Sequence, residues 1–187
     1  LIDKTNTPNL GKGRDKGSNP GWTGFVLHYS VTYNVQDAIK VLQGRGVSYH
    51  YIIDYNGDVY QLVKDSQIAY HAGNSNGKNI GISFVQLGPH PQAGVTTQSR
   101  LISKGIIEPT QTVQSSWFAS SAIRNYTHWQ PFTNEQIVSS IKLARHLKQK
   151  YPSIINAFRH SDVSDTGKMD PGPAFDLTNW KKLVFGN

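Results

Sequence analysis

Three side chains near the C-terminal end of the chain have types that bind a metal ion and stabilise a negative charge. His160, Lys168 and Asp170 supply an imidazole, an ammonium and a carboxylate. The segment Pro171–Pro173, whose prolines fix φ and lack an N–H, predicts an ordered turn directly after the carboxylate. Imidazole and carboxylate are both zinc ligands, and a neighbouring lysine can stabilise an oxyanion without occupying the metal. Two ligands do not complete a site, so a third must come from elsewhere.

The best candidate for the third ligand is His28, near the end of the apolar segment Phe25–Ser30. This segment predicts a short buried strand, and a strand end is a rigid place from which to aim an imidazole. Two histidines and one carboxylate leave the fourth position of a tetrahedral zinc open for water, as in catalytic sites. Structural zinc usually uses cysteine, and the chain has none. Spacing alone leaves a second interpretation open, because a single histidine in an apolar strand is more often a packed core residue.

Composition limits the class of protein. A chain of 187 residues is large enough to bury a core as one domain. A net charge of +7 and a pI near 9.6 favour polyanionic surroundings, either nucleic acid or an anionic cell envelope. The basic residues are scattered, which argues against nucleic acid and leaves an ordinary basic surface as an equal alternative. No apolar run approaches the ~20 residues that a membrane span requires.

The strands that position these residues are predicted by β-branched and aromatic runs. Asn56-Gly57 lies between two such runs and predicts a hairpin. The run at 80–87 is apolar almost throughout, which predicts a central strand. Strands are expected at 25–30, 47–54, 59–63, 80–87 and 154–158.

The clearest helix begins at Thr133, where Thr133 and Gln136 have the spacing of a capping box. Asn34 is placed to cap a helix that continues to Leu42, ended by the glycines at 44 and 46. A short final helix is expected at 176–183. Strands and helices in this order predict an α/β fold, a mixed central β-sheet flanked by helices in a single domain.

Two regions depart from this pattern. Residues 1–20 are polar and without apolar periodicity, which predicts an irregular N-terminal arm ahead of the main domain at 21–187. Residues 88–130 predict a long irregular insertion beside the cleft, and loops of this length are often functional. The aromatic side chains of the insertion have two open interpretations, stacking on a glycan or anchoring the insertion to the body. They are Trp117, Phe118, Tyr126 and Trp129.

The motifs and their order resemble the type 2 N-acetylmuramoyl-L-alanine amidases, the zinc peptidoglycan amidases related to peptidoglycan recognition proteins and phage lysozyme-like amidases. The resemblance covers about 24–180, and its most specific part is 160–175. It implies a mixed sheet flanked by helices, one catalytic Zn²⁺, and cleavage of the amide bond between N-acetylmuramic acid and L-alanine. The matching segments are Leu27–Ser30, Ser48–Asp54, Ala69–Gly73, Asn79–Ile82, Arg159–Asp162 and Lys168–Pro173.

The resemblance also implies roles for individual residues. His28, His160 and Asp170 match the three zinc ligands of the family. Lys168 matches the position that stabilises the oxyanion. His71 and Gly73 match positions that line the substrate groove.

Three further assignments follow from local pattern. His50 follows Tyr49 in a predicted strand and is expected on the opposite face, packed away from the metal. Asp162 is either a carboxylate that orients a metal ligand or an ordinary turn-forming residue. Glu135 lies in the first turn of a capped helix, where the helix dipole explains it better than a role as a base.

Ser83 is the main departure from the family pattern, since many members carry a glutamate there as general base. A neutral hydroxyl cannot accept the proton of water at neutral pH. Three explanations are open: a phage-type enzyme that pairs a tyrosine with the lysine, an inactivating substitution, or a degraded enzyme that only binds. The first is favoured, because Tyr49 matches that tyrosine and the ligand set is intact.

The leading hypothesis is therefore a monomeric zinc amidase acting on the muropeptides of peptidoglycan, with Tyr49, Lys168 and Ser83 at its catalytic positions. It is expected in the bacterial cell envelope, periplasmic or secreted, or as a phage-encoded lytic enzyme. No nucleic-acid partner and no transmembrane segment are expected. The alternative is a catalytically silent peptidoglycan-binding module.

Overall fold

A six-stranded mixed sheet forms the centre of the molecule in a computed structural model that describes residues 1–90, 111–112 and 128–186. The strands are β1 Ile2–Asp3, β2 Gly24–Tyr29, β3 Tyr51–Ile53, β4 Val59–Gln61, β5 Asn79–Phe84, β6 Pro89–His90, β7 Gln111–Thr112, β8 His128–Trp129 and β9 Asn156–Arg159. The order in the six-stranded sheet is β1-β4-β3-β5-β2-β9. A second, three-stranded sheet has the order β6-β8-β7.

The helices confirm most of the predicted boundaries. Helix α1 spans Val35–Arg45, and the Asn34 side chain accepts a hydrogen bond from the Asp37 N–H at its start. Gly46 ends this helix in the left-handed region at φ 61, whereas the glycine at 44 lies inside the helix and does not end it. Helix α2 spans Asn134–Lys150 and has the predicted capping box between Thr133 and Gln136. The remaining helices are α3 His160–Val163 and α4 Leu177–Phe185.

Strand register brings the ends of two parallel strands to the same edge of the sheet. Strand β2 is buried throughout and pairs in parallel with both β5 and β9. Leu27 is in register with Arg159, so His28 and His160 follow at adjacent positions. The carboxyl ends of parallel strands are where α/β folds place their sites.

Apolar side chains cover both faces of the sheet. On one face, α2 and α4 pack against Phe25, Leu27 and the alternate residues of β5. On the other face, α1 packs against Ile52 and Val85. His28 alternates with Leu27 along β2 and so points away from the first core, which confirms an α/β layer arrangement with a mixed sheet.

The N-terminal arm is better integrated than its polar sequence predicts. Strand β1 pairs in parallel with β4 at the edge of the sheet, and Leu10 is buried in the cluster around α1. A backbone hydrogen bond from the Gly13 N–H to Ile68 O, at 2.6 Å, also joins the arm to the body of the domain. Backbone hydrogen bonds over so few residues leave no hydrophobic periodicity in the sequence, so the sequence pattern could not predict them.

Part of the predicted insertion is described, as the small sheet of β6, β7 and β8. Trp129 is fully buried and packs with Tyr29. Its indole anchors the insertion to the body, which is one of the two interpretations of these aromatic residues. Trp117, Phe118 and Tyr126 lie outside the described residues. Across the described ranges, none of the helices has the length and apolarity to traverse a lipid bilayer.

Candidate metal centre

His28, His160 and Asp170 converge at the carboxyl edge of the sheet. His28 Nδ1 lies 2.8 Å from Asp170 Oδ2, and His160 Nδ1 lies 2.9 Å from the same oxygen. One ligand atom from each residue lies within 4.8 Å of the other two, and all three residues are buried. Within the described part of the chain, this is the group of histidines and carboxylates with the spacing of a metal site.

Each candidate ligand is held by a different element. His28 is the fifth residue of β2, whose neighbours on both sides leave it fully buried. His160 begins α3 directly after β9. Asp170 precedes a cis peptide bond to Pro171, and its carbonyl accepts a bond from the Ser161 N–H at 3.2 Å. The loop of Asp170 is thereby tied to the helix of His160.

The chemistry of the three side chains fits zinc. At Zn–ligand bonds of about 2 Å, tetrahedral ligands lie roughly 3 Å apart, which is near the 2.8 and 2.9 Å that separate Asp170 Oδ2 from the two imidazole nitrogens. Burial raises the pKa of Asp170, but hydrogen bonds with His160 and His28 outweigh it and hold the pKa well below its usual value. Burial also lowers the pKa of His28, which favours a neutral imidazole. Neutral imidazoles and an ionised carboxylate are the forms that bind a metal.

Two further histidines lie behind His28. His71 Nδ1 lies 3.0 Å from His28 Nε2, and His71 Nε2 lies 3.2 Å from the backbone oxygen of Asn79. His50 accepts a bond from the Gly81 N–H at Nδ1 and donates from Nε2 to Gln67 O at 2.9 Å. Burial lowers the pKa of His50 to about 4, so it is a neutral, fully bonded core residue.

The packing of His50 agrees with the prediction, but for a different reason. The prediction assumed strand alternation from Tyr49 onward, whereas β3 begins only at Tyr51. The tertiary contacts instead place the His50 ring against Trp22, with ring centroids 5.1 Å apart. The Tyr49 ring lies beside His28, with centroids 4.8 Å apart.

A cleft of about 590 Å³ is lined by His160, one of the three candidate ligands. Its walls are α1, the loop at 70–76 and the segment at 163–168. Tyr49, His71, Gly73 and Lys168 line it together with His160. Of residues 88–130, those that the structure describes do not line this cavity.

Tyr49 and Lys168 both line the cleft. Burial raises the pKa of Tyr49, and the Asp170 carboxylate raises it further. The phenol therefore keeps its hydrogen at neutral pH. The Lys168 ammonium is exposed and close enough to lower the pKa of His28. This pair offers a neutral hydroxyl and a cation to a molecule lying above the ligands.

Ser83 lies beside the ligands and is fully buried. It is in register with His28 on the neighbouring strand. Its Oγ has no hydrogen bond of ordinary geometry, although it is near enough to Tyr49 to favour the phenolate slightly. Ser83, the main departure from the expected sequence pattern, is thus a small hydroxyl beside the candidate ligands.

The other candidates have ordinary local roles. The Asp162 carboxylate accepts a bond from the Arg159 N–H at 2.9 Å and caps α3, so the turn-forming interpretation fits its contacts. Glu135 is exposed in the first turn of α2, as the helix dipole explains.

Sequence reasoning missed two contacts that shape the site. One is the bond between His71 and His28, which depends on loop geometry that spacing does not reveal. The other is the packing of Gly172 on Trp129, where an added Cβ would lie 2.3 Å from Trp129 Cζ3. Gly172 has a positive φ of 80. The sequence indicated a turn here through Pro171-Gly172-Pro173, but it did not indicate the contact with Trp129.

Comparison with known proteins gives several matches. AmiD of Escherichia coli K12 is 28% identical over 178 residues, covering 86% of this chain and 51% of AmiD. A putative N-acetylmuramoyl-L-alanine amidase of Rickettsia conorii is 37% identical over 92 residues, covering 46% of this chain and 33% of that protein. The chain thus spans about half the length of the first relative and a third of the second.

Solved structures share the fold. The structure of E. coli AmiD with anhydro-N-acetylmuramic acid-L-Ala-D-γ-Glu-L-Lys superposes with a TM-score of 0.65 at 22% identity, covering 95% of this chain and 67% of that chain. The endolysin amidase LysCS of Clostridium intestinale gives a TM-score of 0.61 at 21% identity, covering 96% and 91%.

The family model for N-acetylmuramoyl-L-alanine amidase, Amidase_2, matches residues 17–173, which include all three candidate ligands. Since the match extends over most of the chain, and the mixed sheet agrees with the solved amidases, the protein belongs to the Amidase_2 family of N-acetylmuramoyl-L-alanine amidases.

Proposed function

We propose that this chain is a zinc-dependent N-acetylmuramoyl-L-alanine amidase that hydrolyses the amide between N-acetylmuramic acid and L-alanine in peptidoglycan. The convergence of His28, His160 and Asp170, with His160 lining an adjoining cleft, carries the proposal. A zinc ion held by these residues supplies a water of lowered pKa and polarises the scissile carbonyl. Three protein ligands leave one position free for that purpose.

Lys168 and Tyr49 complete the proposed catalytic group. Lys168 lines the cleft, and its proposed role is to stabilise the oxygen of the carbonyl as it becomes negative. The Tyr49 phenol, protonated at neutral pH, orients the attacking water and the amide through its hydroxyl. Ser83 occupies the usual position of glutamate and is too weak a base to replace it.

The cleft is the proposed binding site for the muropeptide. Gly73 and His71 line it together with residues of the segment at 163–168. Both nitrogens of His71 have partners inside the protein, so His71 offers the substrate the carbon edge of its ring. Gly73 exposes backbone to the cleft at a φ of 53.

The wider assignments follow from this function. We infer a catalytic unit at 21–187 with the insertion at 88–130 beside the cleft, and a monomer that acts in the cell envelope or as a phage lytic enzyme. The name of LysCS, an endolysin with the same fold, agrees with a lytic setting. The positive charge of +7 suits an anionic envelope.

Product analysis tests the proposal directly. Purified peptidoglycan is incubated with the protein, with the chelator-treated protein, and with that sample after zinc is restored. Mass spectrometry is expected to show free stem peptides with an L-alanine amino terminus in the first and third samples only. His160→Ala is the control for contaminating amidase. Cleavage that survives complete zinc removal contradicts the zinc assignment.

The alternative is a binding module that retains peptidoglycan without cleaving it, favoured by the hydroxyl of Ser83 in place of a carboxylate. Pull-down on peptidoglycan without any product would support this alternative. Product from Ser83→Glu alone would identify the missing carboxylate as the cause.

A further inference from the structure

His71 contacts the buried ligand His28 on the side away from the metal position, and no catalytic role accounts for that contact. We propose that His71 is a positioning residue that fixes the tautomer of His28, so that Nδ1 presents its lone pair to the metal. The inference rests on the proposed zinc function. It concerns metal binding and does not require that the chain cleave peptidoglycan.

Hydrogen bonds run from His28 to His71 and from His71 to the backbone oxygen of Asn79. The direction of each bond follows from this oxygen. The backbone oxygen of Asn79 can only accept, so His71 Nε2 carries a hydrogen. A neutral His71 therefore has its lone pair at Nδ1, which lies 3.0 Å from His28 Nε2. His28 must donate from Nε2, which leaves its Nδ1 as the acceptor facing Asp170.

The opposite arrangement would disable the ligand. With a hydrogen on Nδ1, His28 would donate to the Asp170 oxygen 2.8 Å away, and both groups would be occupied with one another. The lone pairs of His28, His160 and Asp170 would then no longer converge. A partner on the second nitrogen is the usual means by which proteins prevent this in metal sites.

The backbone is shaped to receive the His71 ring. A Cβ built at Gly81 would lie 2.7–2.9 Å from three atoms of that ring, so only glycine lets the imidazole lie against β5. The Asn76 side chain accepts bonds from the His71 N–H at 2.9 Å and the Ala72 N–H at 2.6 Å, which fixes the loop. The ring is held from the loop side and the strand side at once.

Three variants separate the roles of His71. His71→Phe keeps the ring volume and removes both nitrogens. His71→Asn keeps an acceptor near the position of Nδ1. Gly81→Ala keeps the imidazole and displaces it, and Gly77→Ala is its matched control, since a Cβ at Gly77 meets nothing within 4 Å.

The measurement is the zinc dissociation constant, obtained by competition with a chromophoric chelator, alongside the melting temperature of each metal-free variant. We expect His71→Phe and Gly81→Ala to weaken zinc binding by about 10–100-fold. We expect His71→Asn and Gly77→Ala to bind within about threefold of the parent protein.

Nitrogen-15 NMR of the zinc-loaded parent protein provides a second readout that needs no variant. His28 is expected with its hydrogen on Nε2, coupled to a hydrogen-bonded partner. A His28 bound through Nε2, or unchanged zinc affinity in a folded His71→Phe protein, overturns the inference. Failure of the parent protein to bind zinc removes both this inference and the zinc assignment, whereas tight binding without cleavage contradicts the amidase activity alone.

Discussion

His28 and Ser83 lie directly opposite one another on the neighbouring parallel strands β2 and β5. Both are fully buried, and their side chains point to the same face of the sheet. His28 has partners on both nitrogens, while Ser83 Oγ has no hydrogen bond of ordinary geometry. The residue on β5 that lies beside the candidate ligand His28 therefore forms no side-chain hydrogen bond of ordinary geometry.

Removal of the Ser83 hydroxyl is expected to be nearly neutral. Ser83→Ala deletes a buried hydroxyl that makes no hydrogen bond of ordinary geometry, so the melting temperature should stay constant or rise, and cleavage should be retained. Ser140→Ala is the matched control. Its Oγ donates to Ile137 O and accepts from Trp180 Nε1, each at 2.8 Å, so the substitution should cost about 1–3 kcal/mol.

The comparison is made by thermal unfolding and by product formation on peptidoglycan. A loss of more than tenfold in cleavage by a folded Ser83→Ala protein would show that the hydroxyl takes part in the reaction.

Tyr49→Phe is expected to lower kcat by about 10²–10⁴-fold, since it removes the hydroxyl proposed to orient the reacting groups. Zinc affinity and KM should change little, because the ring remains packed against His28. The pKa of Tyr49 is raised, so ionisation of this group should not appear in the pH profile below its ordinary value of about 10.

Tyr70→Phe serves as the control in the same cleft, and steady-state kinetics on muropeptides provides the measurement. An equal loss of kcat in the two variants would mean that removal of any tyrosine hydroxyl from the cleft impairs the reaction. That result would contradict the specific role proposed for Tyr49.

Acid should destabilise the protein through His50. Its pKa is lowered from 6.5 to about 4, so the unfolded chain binds a proton near pH 6.5 and the folded chain binds it only near pH 4. Stability therefore falls as the pH drops through this window, by about 3 kcal/mol in total for this group. His50→Asn removes the titrating group and retains an acceptor for the Gly81 N–H.

Urea unfolding of metal-free protein at both ends of the window measures the effect. The variant should be less stable at neutral pH and show a smaller loss on acidification. An identical loss in the two proteins would assign the acid sensitivity to other groups.

Gly172→Ala is expected to damage the metal centre from a distance. Gly172 has φ 80, and a Cβ there would collide with Trp129, so the turn that holds Asp170 must move. Gly167→Ala is the control, since Gly167 has φ 69 but open space around a Cβ. The control should cost about 1–2 kcal/mol from backbone strain alone.

Gly172→Ala should cost more and weaken zinc binding as well. Equilibrium unfolding and chelator competition measure the two effects, and equal behaviour of both variants would mean that Trp129 yields to the added atom.

Much of the fold followed from local pattern. The capping box at Thr133 and the cap at Asn34 fixed the starts of α2 and α1, because a cap is satisfied within a few residues. The apolar run of β5 predicted a central strand, because burial on both faces leaves no polar alternation. The ends of the strands were predicted less accurately than their existence. The strand expected at 47–54 is formed only at Tyr51–Ile53.

The sequence by itself determined which residues have the chemistry of the site: His28, His160, Lys168 and Asp170 were identified by type, spacing and family resemblance. Only the tertiary structure decided that His71 bonds to His28 and that Trp129 packs on Gly172. The physical reason is that each of these contacts joins separate loops and strands across the fold. Local propensity and periodicity describe neighbours along the chain, whereas the direction in which an imidazole offers its lone pair depends on neighbours in space.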